Sequence, residues 1–171
     1  VAEIAKSGLK VEIGGGIRSM ETVKKYIEAG VSRVIIGTAA VSNPDFLKAA
    51  LAEYGEKIAA GVDIKDGMVA IKGWLEVSAL ECFEFCEKLQ NDGVSTVICT
   101  DISKDGMLSG TNTELYRRLS ERFTMNFVAS GGVSTIDDVK ALAKMGMYGA
   151  IVGKAIYTGN IDLKEAIAEA K

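Results

Sequence analysis

"VEIGGGIRS", residues 11–19, is an apolar strand-like run that stops in three consecutive glycines. "FVASGGVST", residues 127–135, has the same shape: apolar run, small residues, Gly-Gly, a β-branched residue and a hydroxyl. The likeness extends outward. Residues 11–41 and 127–157 align without a gap, matching Gly15 with Gly131, Gly16 with Gly132, Val23 with Val139, Lys24 with Lys140, Gly30 with Gly146, Ile35 with Ile151, Gly37 with Gly153 and Ala39 with Ala155. The unit used twice is strand, glycine turn, helix, strand, glycine.

Around these two units the pattern is regular. Apolar runs predict strands over 10–13, 33–36, 58–62, 96–100, 126–129 and 150–152, and helical periodicity predicts helices over 20–29, 43–54, 77–92, 112–121, 135–145 and 163–170. Residues 68–72 read as a short extra strand or an ordered excursion. "RVIIG", "STVICT" and "GAIVG" are continuously apolar, as strands buried on both faces are. Strands of this kind alternating with helices predict an α/β fold with a parallel sheet and outer helices. The expectation is one domain over 1–171, a partial (β/α)8 TIM barrel with six of the eight βα units and a twofold internal repeat. "VAEIAKSG" at residues 1–8 reads as the end of a helix, so the chain is expected to begin part-way through the fold, with open strand edges at Val11 and Ile151 through which it can self-associate.

Composition narrows the chemistry. The chain has 171 residues, 48% of them hydrophobic, and a net charge of −3 with acids and bases interleaved. No basic block points to nucleic acid, and no run has the length or flanks of a membrane span or signal. A cytoplasmic protein is expected; an odd number of cysteines, Cys82, Cys86 and Cys99, fits a reducing compartment. Cys82 and Cys86 would share one helix face, as buried inert thiols rather than a metal pair. There is no histidine. That removes histidine-dependent nucleophiles and histidine metal sites and leaves acid–base work to Asp, Glu, Lys, Tyr or Cys.

Glycines after a parallel strand let the backbone approach a ligand and turn N–H groups toward it, and the next helix N-terminus adds positive potential. Gly15 and Gly16 with Gly37, and Gly131 and Gly132 with Gly153, therefore predict two phosphate cradles at the strand C-terminal face. Ser19, Thr38, Ser130 and Ser134 offer hydroxyls, and Arg18 could clamp an anion. A ligand with phosphates at both ends follows. Between the cradles, Asp63 ends the third strand and Thr100 the fourth, with Asp105 in the loop beyond; these are the candidates for acid–base catalysis, while Asp66 reads as a turn residue. Trp74, the only tryptophan, could stack on a planar ring or staple its loop.

"GGGIRSMETVKKYIEAG", "VIIGTAAV", "GVDIKDGMVAIKGW", "CTDISKDGMLSGTN", "ASGGVSTIDDVKAL" and "VGKAIYTG" together resemble the phosphoribosylformimino-aminoimidazole carboxamide ribotide isomerases of histidine biosynthesis, over nearly the whole chain. The resemblance implies a (β/α)8 barrel of two similar halves, a substrate phosphorylated at both ends, an Amadori rearrangement of an aminoaldose to an aminoketose, and no metal or redox cofactor. It implies catalytic roles for Asp63, Thr100 and Asp105, and base-packing by Trp74. It assigns Gly15, Gly16, Arg18, Gly37 and Thr38 to one phosphate, and Gly131, Gly132, Gly153 and Lys154 to the other. Phosphate or sulfate ions would occupy the same positions. The family has a further catalytic aspartate on its first strand with no counterpart here, so this chain alone is expected to be inactive. The sister cyclase of the same pathway, a dual-substrate isomerase and a non-catalytic phosphate-binding barrel fragment are the rival readings; "VAIKGW" and "VGKAIYTG" look like the isomerase rather than the cyclase.

Overall fold

The computed structural model describes residues 1–170. Helix α1 (Ala2–Ala5) leads to strand β1 (Glu12–Gly14), helix α2 (Met20–Glu28) and strand β2 (Arg33–Ile36). Helices α3 (Thr38–Ser42) and α4 (Pro44–Tyr54) and a 3-10 turn (Gly55–Lys57) carry the chain to β3 (Ile58–Lys65). A hairpin of β4 (Met68–Ile71) and β5 (Glu76–Glu81) precedes α5 (Cys82–Asn91). Then come β6 (Thr96–Asp101), α6 (Thr113–Arg122), β7 (Asn126–Ser130), α7 (Ile136–Lys144), β8 (Gly149–Ala150), α8 (Lys154–Tyr157) and α9 (Leu163–Glu169).

The main sheet runs β1-β2-β3-β6-β7-β8, and every neighbouring pair on that path is parallel. All six residues of β6, at the middle of the path, are buried, as its unbroken apolar run requires. Most of the buried apolar side chains form one cluster. The sheet is curled. Arg33 begins β2 and Tyr148 immediately precedes β8, four strand spacings away along the path. In a flat sheet that is roughly 19 Å. Yet the Arg33 guanidinium lies 5.6 Å from the Tyr148 ring centre, with a 3.4 Å hydrogen bond to its hydroxyl and a 2.6 Å ion pair to Glu12. Parallel strands curled in this way under outer helices are consistent with the (β/α)8 family. On the concave side, Ile35, Gly61, Asp63 and Ile98 line one cavity. Among the described residues β1 pairs only with β2, and β8 only with β7.

Three expectations change. Asp63 does not end its strand: β3 runs on to Lys65, because Asp63, Ile64 and Lys65 pair antiparallel with β4. Residues 77–81 are strand, not the start of a helix: β5 pairs antiparallel with β4, Ile71 opposite Glu76 and Met68 opposite Glu81, with a bulge between. Ser78 Oγ donates to the Val69 carbonyl at 2.7 Å, and the helix begins only where Glu81 accepts from the Phe83 and Glu84 N–H groups. Pairing across the hairpin overrides the local helical pattern. The last strand is Gly149–Ala150 rather than 150–152, because it has a neighbour on one side only. The short helices α3 and α8 start at Thr38 and Lys154, immediately after Gly37 and Gly153.

Candidate active site

The chain leaves β1 through Gly15 and Gly16, at φ 106° and 67°, and leaves β7 through Gly131 and Gly132, at φ 95° and 80°. These left-handed values are open to glycine and strained for other residues. The next residue inward, Ile17 or Val133, is buried in both cases. Each turn then enters a helix through a hydroxyl cap: Ser19 accepts from the Thr22 N–H and Thr135 from that of Asp138. Gly37 and Gly153 share a second unusual conformation, φ −95°, ψ −106° and φ −103°, ψ −96°.

Each turn opens on its own cavity. The first, about 490 Å³, is lined by Gly15, Gly16, Arg18, Gly37 and Thr38, together with Asp63, Lys72 and Gly73. The second, about 230 Å³, is lined by Gly131, Gly132, Gly153 and Lys154, with Ser130, Asp105 and Gly106. Backbone N–H groups at such turns, together with Arg18 in one cavity and Lys154 in the other, make both suited to anions. Not all the hydroxyls are free for a ligand. Ser19 caps α2, and Ser134 donates to the Asp138 carboxylate at 3.1 Å. Thr38 Oγ1 accepts from the Lys72 N–H at 3.0 Å, which ties the hairpin loop to the first cavity.

Asp63 stands opposite Thr100 in the β3–β6 register, and Thr100 opposite Ser130 in the β6–β7 register. Asp63 is half-buried and Thr100 buried. Burial pushes the Asp63 carboxyl above the ordinary carboxylate range; hydrogen bonds from the Trp74 and Thr100 side chains pull it back, and the negative charge of Asp105 adds to the rise. A carboxyl held up in this way shuttles a proton near neutral pH more readily than a solvated one. Trp74 lines neither cavity and is 45% exposed. Its φ of 71°, with Lys72 at 55° and Gly73 at 66°, makes a run of three left-handed residues in the hairpin loop. Asp105 is exposed, in the second cavity.

Lys72 and Gly73 escaped the sequence reading although they sit inside "VAIKGW"; only the fold brings their loop onto Thr38. The cysteines converge under the sheet. All three are buried, and their mutual contact splits them: Cys82 together with burial pushes the Cys86 and Cys99 thiols up, while Cys86 and Cys99 pull the Cys82 thiol down. The described residues contain no group of three or more His, Cys, Asp or Glu side chains placed to hold a metal ion, and no helix long and apolar enough to cross a membrane.

The sequence profile of the family described as "Histidine biosynthesis protein" matches residues 1–162. Curated relatives carry the name 1-(5-phosphoribosyl)-5-((5-phosphoribosylamino)methylideneamino) imidazole-4-carboxamide isomerase. The one from Brachyspira hyodysenteriae is 52% identical over 168 residues, 98% of this chain and 71% of its own length. The one from Ruminiclostridium cellulolyticum is 50% identical over the same shares. The one from Listeria monocytogenes is 50% identical over 159 residues, 93% of this chain and 66% of its own length. The chain thus spans about two thirds to seven tenths of the relatives it matches.

Proposed function

The chain belongs to the histidine biosynthesis protein family, and on that premise we propose that it carries the catalytic face of an isomerase converting a bisphosphorylated aminoaldose ribotide to its aminoketose. The relatives' name contains two phosphoribosyl groups, and the observation that carries the reading is the pair of glycine turns, each opening on its own cavity. One phosphate rests on Gly15, Gly16, Arg18, Gly37 and Thr38, and the other on Gly131, Gly132, Gly153 and Lys154. The turns, and the six βα units around them, belong to a (β/α)8 barrel with a twofold repeat, and the reaction takes place in the cytoplasm.

The chemistry needs two proton transfers. One carboxyl protonates the ring oxygen of the aminoaldose; the C1′–O bond breaks and C1′ becomes a protonated imine. The other carboxylate removes the C2′ proton. The electron pair moves into a C1′–C2′ double bond, neutralising the nitrogen; the second carboxyl then returns a proton to C1′ while the C2′ hydroxyl gives up its own to the first carboxylate, which gives the 2-ketose and restores both groups. Asp63 and Asp105 are the two carboxyls in reach of the space between the cavities, Thr100 orients Asp63, and Trp74 packs on the substrate's planar base. The rise of the Asp63 carboxyl supports a proton-transfer role. The family resemblance adds a first-strand aspartate that shares these proton transfers and has no counterpart among these residues, so Asp63 and Asp105 alone are expected to leave the chain inactive. The unpaired edges of β1 and β8 are where more strand, or a second copy of the chain, pairs.

The test is to incubate the ribotide with the chain alone, and with the chain joined to the part of the Brachyspira relative that it does not cover, and to follow the ketose by chromatography. Conversion by the joined protein, lost in its Asp63→Asn form, is the expected result. A joined, folded protein that binds the ribotide and leaves it unchanged would sink the proposal.

A further inference from the structure

Asp101 ends β6, next to Thr100, and is 6% exposed. Nothing in the proposed chemistry uses it. Its carboxylate is nonetheless fully engaged: one oxygen accepts from the Ser103 N–H at 3.0 Å and the Ser103 hydroxyl at 2.6 Å, and the other from the Asn112 side-chain amide at 2.6 Å. Ser103 and Asn112 are the two ends of the loop that carries Asp105. Asn112 in turn caps α6 by accepting from the Leu115 N–H, and Thr111 beside it donates to the Gly131 carbonyl at 3.0 Å. A buried carboxylate persists only where donors replace its water. Here those donors are the two feet of one loop. A single side chain therefore closes the loop and sets it against the second glycine turn.

We propose that Asp101 is a positioning residue that fixes Asp105 by tying both ends of its loop. The proposal rests on the catalytic reading of Asp105 given above. The tip carries a matching contact: Lys154 donates to the Gly106 carbonyl at 2.9 Å, so the residue after Asp105 is held from the second cavity. Base and tip together leave Asp105 little freedom, although the side chain itself is exposed. Preorganisation of this kind acts on turnover rather than on uniform binding.

A reciprocal exchange tests this. Asp101→Asn keeps an acceptor for Ser103 but sets one amide donor against another at Asn112; Asn112→Asp alone sets two carboxylates face to face. The double variant restores the contact with donor and acceptor reversed, and Asp at position 112 still caps α6, since Asp and Asn are comparable caps. In the joined protein described above each single variant is expected to lower kcat about 10- to 100-fold with KM within about threefold, and to speed amide hydrogen exchange across residues 103–110 about 10-fold or more. The double variant is expected to bring both back to within about threefold of the parent. Folded single variants with unchanged exchange, or a double variant that regains slow exchange without regaining kcat, would overturn the proposal. If the parent protein does not turn over the ribotide at all, the functional reading is what fails, and the exchange data alone judge the tie.

Discussion

The two glycine turns have nearly the same backbone and opposite surroundings. Gly15 and Gly16 are exposed, and a Cβ on either would meet nothing within 4 Å. Gly131 and Gly132 are buried: a Cβ at Gly131 would stand 2.5 Å from the Asp101 carbonyl oxygen, and one at Gly132 would press on the Gly110 carbonyl and come within 2.9 Å of the Lys104 Cβ. The difference has two sources: the end of β6 at Asp101 crowds Gly131, and the loop of residues 102–112 folds over Gly132. The cavities differ accordingly, about 490 Å³ against 230 Å³. The carboxyls are distributed the other way round. The open turn has the half-buried Asp63 beside it, and the packed turn has the exposed Asp105. Glycine is thus required for one physical reason at the first turn and for two at the second.

The carboxyls give the largest expected effect. Asp63→Asn should lower turnover by about 10²- to 10⁴-fold, the range that general acid–base groups contribute. It should also stabilise the fold near neutral pH. Burial raises the folded-state pKa of Asp63, so its contribution to stability is complete below the unfolded value and is lost as pH rises through the folded one. At neutral pH the charged form is a cost that asparagine removes. Asp105→Asn, on an exposed residue, should lose turnover without that gain. Thermal unfolding beside an activity assay separates the two, and equal stability changes would erase the contrast.

Next come the glycines themselves. Gly16→Ala should cost about 1–2 kcal/mol, the left-handed penalty alone. Gly132→Ala adds backbone overlap to that penalty and should cost about 3 kcal/mol or more. Denaturant unfolding of the pair decides this, and similar values would mean the loop over the second turn yields freely.

Tyr116 supports only the packed turn. Its buried hydroxyl lies 2.6 Å from the Ser130 carbonyl oxygen and 3.0 Å from that of Cys99, and accepts from the Ser130 N–H. Tyr116→Phe removes these three contacts and should cost about 1–3 kcal/mol, with amide exchange at Ser130 to Gly132 speeding while Gly15 and Gly16 are unaffected. Uniform acceleration at both turns would contradict a local role.

The smallest effects concern the helix caps. Asp138 accepts from the N–H and hydroxyl of both Ser134 and Thr135, while Ser19 caps α2 alone. Burial alone would raise the Asp138 carboxyl, but these donors outweigh it and hold the carboxyl below its usual range. Its contribution is therefore present above the unfolded pKa and is lost as pH falls through the folded value. Asp138→Ala should cost about 1 kcal/mol at neutral pH and less in acid, whereas Ser19→Ala should cost about as much at both pH values. A pH-independent Asp138→Ala effect would refute the assignment.

Much of this comparison was legible in the chain. Continuous apolar runs gave the parallel strands, and the two Gly-Gly turns gave the candidate cradles, because backbone conformations that favour glycine leave a mark in sequence. The β4–β5 hairpin was harder to read, since "EVSALE" becomes strand only when β4 lies beside it. Asp101 was invisible for a related reason. It sits within the quoted "CTDISKDG", but its importance depends on Asn112 returning across the loop to within 2.6 Å. The Lys72 contact with Thr38 likewise joins residues whose proximity no local pattern encodes.

The central claim is that the two turns hold the two ends of one ligand. The most direct measurement is an NMR titration of the chain with the bisphosphorylated ribotide, following the amide signals of Gly15, Gly16, Gly131 and Gly132 together. Both pairs should shift with one midpoint at a stoichiometry of one ribotide per chain. Shifts at one turn only, or at two midpoints with two ribotides bound, would contradict it.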